Sequence, residues 1–439
     1  MLLRLSVFLG FASTAFAQAP APMREKADPA GALRIEVKTT ITGRLTLTPE
    51  PGKPAEAMTI EGASLLSYDE RILPPDEEKS EKVIRAYRTV EFRRKMNDQE
   101  QTASLREPVR RVVVLKNDKG KKAPFSPDGP LTWGEIDLIR HDIFAPTICA
   151  GLLPARAVAP GDKWAVSAAA VLDLTEFEAI DDGGLSVEFV SVIELDNRKF
   201  AKLAVGGTIR GRTEDGPVKQ KLEGTAYFDL AAERVSYLKL SGVHEMLGPK
   251  GETTGTLEGT FTLTRGVSPK FADLADDALK TLELKPTTDN SLLLYDNPEL
   301  GIRFLHSRRW RVGVVQGRQI TLQESKGGGI LLTVEPTNRV PTAQQYLDEV
   351  KAFLAKQQAK VPPLGAPKRT AEKPMVIDCF GVDAELKASA SRLEYAVATS
   401  AEGGVLIAAR FPPAEAVELK ADLDRVLKQL VLTRRIEVK

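Results

Sequence analysis

Leu185 to Gly211, "LSVEFVSVIELDNRKFAKLAVGGTIRG", is where the reading of the fold begins. Val, Ile, Leu and Phe alternate with polar residues on both sides of "DNRK", the pattern of two strands each with one covered face. "VKQKLEGTAYFDL", "RVSYLKLSGVHEM" and "TGTLEGTFTLTR" repeat it, joined by "RTEDGP", "AAE" and "GPKGE". Joins this short allow only antiparallel pairing, because a parallel neighbour needs a crossover of a dozen or more residues. Upstream, "LRIEVKTTITGRLTLT" and "AEAMTIEGASLLSY" flank the turn-rich "PEPGKP" as a hairpin, and residues 81–96 and 105–116 continue the pattern with more charge. About nine strands in one sheet suffice for strong curvature or a barrel.

Working outward, the amino terminus reads as an export signal. Arg4 is the basic start, Leu5 to Ala12 the apolar core, and Ala15-Phe16-Ala17 the small-x-small cleavage pattern, so residues 1–17 are expected to be removed. The apolar run is shorter than the ~20 residues that span a bilayer, and no cysteine follows it to carry a lipid. Residues 18–31, Pro- and Ala-rich, predict a disordered leader. The expected product is a soluble periplasmic or secreted monomer with no transmembrane segment. The formal charge is +1, and loss of Arg4 brings it to zero; a nucleic-acid binder would carry a basic excess.

The middle of the chain changes period. "TWGEIDLIRHDIFAPTICAGLLP" spaces Trp133, Ile136, Ile139 and Ile143 helically, predicting a helical insertion near 134–153 that Pro154 and Pro160 terminate. "PKFADLADDALKTLELKPTTDNS" then reads as a short helix and linker over 267–291. Beyond it, "GIRFLH", "QITLQES", "ILLTVEPT", "VIDCFGVDAELKA", "SRLEYAVATS" and "GVLIAARFP" are strands. "TAQQYLDEVKAFLAKQQA" is a helix with Thr342 and Gln345 at capping-box spacing and Tyr346, Val350, Phe353 and Leu354 on one face. A last helix lines up Leu419, Leu423, Val426, Leu427 and Leu430. The expected fold is α+β: an antiparallel β-sheet or half-barrel domain over 32–266 carrying the insertion, then an α/β sandwich over 292–439.

No motif for chemistry survives its spacing test. "HEMLG" at His244 lacks a second histidine one turn on, since position 248 is Gly. Ser236 and Lys239 match S-x-x-K, but in an alternating strand residues three apart face opposite ways, and no "KTG" accompanies them. Asp137 and His141, near Glu135 and Asp142, would share a helical face; the plainer reading is a polar helix edge opposite Ile136, Ile139 and Ile143. Gly327 to Gly329 precede no Gly-Lys-Ser/Thr and make no phosphate loop. Arg308, Arg309 and Arg311 around Trp310 offer a small anion patch, or a strand entry with the ring inward and solvated arginines. The charged stretch 76–122 reads as solvated strand faces. Cys149 and Cys379 both sit in apolar text; export permits a disulfide between them, but burial as small hydrophobes explains both more cheaply. No catalytic, cofactor-binding or metal residue is expected, and no cofactor.

Over about 292–433, "YDNPELGIRF", then "RRW", a strand pair, "PTAQQYLDEVKAFL" and the closing strand and helix resemble the PsbP-like superfamily, which includes DcrB-type exported proteins. That resemblance implies an α/β sandwich acting as an accessory or binding module. The N-terminal strand order is similar to the LolA/LppX type of curved half-barrel, which implies an apolar concave face. "LLPARAVAPGDKW" is similar to uncharacterised exported β-rich proteins of planctomycete type. The expected function is therefore a non-catalytic exported binding or accessory protein of the cell envelope, with an envelope protein as partner. The alternative is a carrier of a lipid or other apolar ligand on the concave face, with the 134–153 helix as its lid.

Overall fold

The computed structural model of the chain describes residues 20–26, 28, 31–47, 56–77, 80–140, 142–268, 271–313, 315–386 and 389–437. The export signal and its cleavage site lie outside these residues. The chain divides into two compact units. The first holds residues up to Ser104, Leu115–Lys122 and Arg140–Ala278; the second holds Leu105–Val114, Ala123–Ile139 and Leu279–Lys439. The last change of unit falls between Ala278 and Leu279. The assignment of 105–114 and 123–139 to the second unit was not legible in the sequence.

In chain order the strands up to residue 267 are β1 (Ala21–Pro22), β2 (Leu33–Leu47), β3 (Glu56–Ile72), β4 (Glu81–Met96), β5 (Gln99–Ala103), β6 (Arg111–Lys116), β7 (Lys122–Phe125), β8 (Ala157–Val158) and β9 (Lys163–Ala165). The five long strands of the opening stretch and its neighbours follow: β10 (Ala179–Leu195), β11 (Arg198–Thr213), β12 (Gly216–Asp229), β13 (Arg234–Leu247) and β14 (Thr253–Val267). Within the first unit the sheet order is β4-β3-β2-β14-β13-β12-β11-β10-β9, every pairing antiparallel, with β5 folded back on β4. It is an open sheet rather than a closed barrel. Residues 105–109, expected in a strand, instead include a 3-10 turn at Glu107–Val109, where Pro108 removes a ladder donor.

Register defines an inner face. Rows across the ladder run Leu203, Ala226, Leu238, Leu263, Val37 and Leu66, then Ile209, Gln220, His244, Leu257, Gly43 and Ile60. Several glycines interrupt these rows. A Cβ on Gly224 would lie 1.9 Å from the Lys239 carbonyl oxygen, and one on Gly43 would lie 2.1 Å from that of Thr256. Neighbouring strands come this close only where the sheet bends toward the face concerned, so these glycines permit the curvature. Gly224→Ala is expected to destabilise the protein by roughly 1–3 kcal/mol in urea titration, the range for overpacking. An unchanged midpoint would show that the bend does not need the missing side chain.

The helical insertion is two helices. α1 (Trp133–Arg140) counts with the second unit up to Ile139, whereas α2 (Ala145–Gly151) counts with the first. Pro146 sits at the start of α2 and lacks the N–H a continuous helix would need; Phe144 ahead of it is non-helical (φ −100°, ψ 87°). α3 (Ala168–Thr175) packs on α2 at Gly151, where a Cβ would meet the Ser167 hydroxyl at 2.3 Å. Phe144, Ile148, Cys149, Leu152 and Val171 are fully or almost fully buried, so α2 is a core element and not a lid. The expected disordered leader is also partly built in. Ala21 and Pro22 pair with Val158 and Ala157, Met23 is fully buried, and Glu25 meets Arg265.

After α4 (Asp276–Leu279), the second unit contains β15 (Leu293–Asn297), β16 (Ile302–His306), β17 (Arg311–Val312), β18 (Gln319–Gln323), β19 (Gly329–Glu335), α5 (Ala343–Lys356), β20 (Lys368–Ala371), β21 (Val376–Leu386), β22 (Ser389–Thr399), β23 (Gly404–Phe411), α6 (Ala416–Gln429) and β24 (Val431–Leu432). "YDNPELGIRF" is the β15–β16 hairpin, its turn held by the Asn297 side chain accepting from Leu300 N at 2.9 Å. The larger sheet runs β17-β18-β19-β23-β22-β21-β20. Leu419, Leu423, Val426 and Leu427 of α6 join Ile320, Leu332, Ile377 and Ile407 on one face. On the other, Leu347, Val350 and Leu354 of α5 meet Phe380, Val382 and Leu393. The α6 stripe is as expected. On α5, Leu347 replaces Phe353, which is 54% exposed, because the buried line follows 347, 350 and 354. The capping box is present, with Thr342 accepting from Gln345 N and Gln345 accepting from Thr342 N.

Candidate functional site

The densest cluster of titratable groups lies where α2 meets the inner face of the first unit's sheet. Arg85 on β4 is 1% exposed and donates to Glu70 Oε2 (2.9 Å), Asp142 Oδ2 (2.8 Å), the Ile143 carbonyl (2.7 Å) and Tyr87 Oη (3.3 Å). Its guanidinium carbon stands 4.6 Å from the Tyr68 ring centre. Burial raises the pKa of Glu70 and of Asp142, with Arg85 opposing the shift. Next to it, Arg265 donates to Glu25 (3.1 Å) and the Val235 carbonyl (3.1 Å). Burial pushes the Cys149 thiol up to about 12. Lys116 bonds Asp173 and Thr147, while burial lowers the pKa of Lys122, whose ammonium donates to the Asp142 carbonyl.

This cluster is built to hold structure. Arg85 is matched by two carboxylates and a carbonyl, and it, Glu70 and Asp142 are closed off from solvent. It also corrects the reading of 76–122 as solvated: Lys82, Arg85 and Lys116 are all buried. On β4 every residue from Lys82 to Tyr87 is buried, so both strand faces are covered there and charge must pair.

The sequence candidates separate. His141 lies outside the described residues, so its pairing with Asp137 has no structural account. Glu135 serves α1: it takes two bonds from the Arg106 guanidinium (both 2.7 Å) and one from the Arg106 backbone (3.0 Å), and with Thr132 it forms a reciprocal cap. Thr132-x-x-Glu135 is a capping-box spacing that the sequence displays. Asp142 belongs to Arg85. His244 sits on the inner face under the Phe177 ring (6.2 Å, edge-on), and burial lowers its pKa. Ser236 donates to the Tyr227 carbonyl across the ladder, and Lys239 is exposed. Glu324 closes the turn before Gly329 by accepting from Lys326 N and Gly328 N. Trp310 is fully buried, as the inward reading expects. Its arginines are less free than expected: Arg308 donates to the Ser291 and Pro124 carbonyls, and Arg309 to Glu418. Cys149 and Cys379 are both free thiols.

Away from α2 and α3 the inner face is only half covered. Leu238, Leu263 and Leu203 are fully buried, whereas Leu45, Met58, Met246 and Leu257 are half-buried. A groove of about 370 Å³ lies on the opposite face, lined by Thr40, Thr42, Lys221, Glu223, Glu258 and Thr260. Ile41 and Val243 line that groove as well, and Thr40 and Thr260 bond each other within it. No group of three or more metal-ligating side chains is present among the described residues, and no described helix is long and apolar enough to cross a membrane.

No family model matches the sequence, and no curated protein is similar to it. Among solved structures, the PsbP of the cyanobacterium Synechocystis sp. PCC 6803 is a weak, partial neighbour. It is 14% identical, covers 32% of this chain and 92% of its own, and has a TM-score of 0.27. A lipovitellin structure is 10% identical over 57% of this chain and 27% of its own, with a TM-score of 0.31. The translocator domain of the autotransporter NalP from Neisseria meningitidis is 10% identical over 88% of each chain, with a TM-score of 0.14. At these scores the likenesses carry no functional argument.

Proposed function

We propose that this is a non-catalytic exported binding protein of the cell envelope, and that it takes an apolar ligand on the inner face of the first unit's sheet, a half-barrel of the LolA/LppX kind. The observation that supports this is the incompletely buried set Leu45, Met58, Met246 and Leu257 on the face where the glycines let neighbouring strands approach closely. Contiguous apolar surface of this sort marks an interaction site more often than a spare core. Helices α2 and α3 fill one end of that face, which limits the ligand to the open end. The PsbP-like sandwich of the second unit would serve as the accessory module, presenting sheet and helix surfaces to an envelope protein.

The test uses the neutral dye N-phenyl-1-naphthylamine, which fluoresces in apolar surroundings. Saturable binding by the full chain is expected, weakened at least about tenfold in Leu257→Lys, because a charge on this face must be desolvated. Absence of saturable binding overturns the reading.

A further inference from the structure

The segment "FRRKM" on β4 places three basic residues in a row, and alternation sends them different ways. Arg93 and Lys95 are exposed, and Arg93 pairs with Glu100 at 3.2 Å. Arg94 is paired in register with Gly62, which in turn lies opposite Ile41 on the inner face. Phe92 and Met96 flank it on the same side of β4. Its guanidinium carbon is 6.0 Å from the Phe92 ring centre, and its one hydrogen bond among the described residues is from Nη2 to Gln101 Oε1 (2.6 Å). Its Nε is buried without an acceptor. Among the described residues no carboxylate pairs with Arg94, unlike the fully matched Arg85 on the same strand.

We infer that Arg94 anchors the head of a single-chain amphiphile bearing a carboxylate, whose tail lies along the incompletely buried apolar residues of this face. This rests on the apolar-ligand reading above and adds to it the charge and the polarity of the ligand. A guanidinium beside the Phe92 ring and bonded only to the neutral Gln101 favours a planar anion, which can accept from its terminal N–H groups and offset the charge. A neutral alcohol head can accept one hydrogen bond but leaves the charge unopposed.

Displacement of N-phenyl-1-naphthylamine by oleate and by oleyl alcohol separates head from tail. The wild-type chain is expected to favour oleate about tenfold, the scale of one charge-assisted hydrogen bond. In Arg94→Gln the two ligands are expected to compete equally, while Arg94→Lys, which keeps the charge, retains a preference for oleate. A preference that survives in Arg94→Gln, or that is absent from the wild-type protein, overturns the anchor. Failure of the dye and of both ligands to bind the wild-type chain would overturn the apolar site itself.

Discussion

Replacing Arg85 by Met is expected to lower the stability of the protein by about 3–5 kcal/mol near neutral pH, the cost of breaking a buried ion pair from one side. The methionine fills similar space, so the loss comes from charge. Glu70 and Asp142 are 4% and 3% exposed and would face one another with no cation between them. Burial already raises both carboxyl groups, and Arg85 is the main force holding them down. The sign of the pH dependence follows from that direction. A carboxyl whose folded pKa is raised keeps its proton in the native state after the unfolded chain has released it. Between the unfolded value near ~4 and the raised native one, the folded state binds more protons, so stability falls as pH rises through that window. Removing Arg85 lifts both groups further and extends the window upward. The deficit of Arg85→Met should therefore be larger at pH 8 than at pH 5, measured by urea titration at each. A deficit that does not change with pH would mean that the carboxyls are not the source of the loss.

The second large effect is expected at Trp310. Trp310→Ala should cost about 3–5 kcal/mol, the range for truncating a buried aromatic. The ring is fully buried, stands 6.4 Å from Phe411, and donates from Nε1 to Asp422 Oδ2 at 3.2 Å. Asp422 also accepts from Ser307 (2.9 Å) and Arg425 (2.7 Å), so "SRRW" and α6 meet at one buried carboxylate. Trp310→Phe keeps much of the apolar contact and leaves Asp422 its two other donors. Its loss should be smaller, about 1–3 kcal/mol. Equal losses in the two variants would assign the whole effect to the indole nitrogen.

Much of this architecture was legible. Alternation located β10 to β14 and the strands of the second unit, because a sheet with one face packed writes its period into the sequence. The α6 stripe and the Thr342–Gln345 cap were legible for the same local reason. The insertion near 134–153 was harder. Its isoleucines follow one helical period, yet α1 ends at Arg140 and α2 begins at Ala145, so Ile139 and Ile143 fall in different units. Phe353 was misplaced because Tyr346-Leu347 and Phe353-Leu354 offer two adjoining stripes, and only packing against Phe380 and Leu393 selects 347, 350 and 354.

The candidate site divides the same way. The sequence by itself determined the strands, their antiparallel pairing and the absence of a recognisable catalytic spacing, all of which depend on residues near one another in the chain. Tertiary structure alone decided which charges turn inward. Arg85 and Arg94 belong to the same strand and the same charged run. A register shift at Ser67/Tyr68 and the partners brought from other strands make one a saturated buried cation and leave the other with Gln101 and the Phe92 ring beside it. Whether a charge is paired depends on groups dozens of residues away, and the period of a strand carries no record of them.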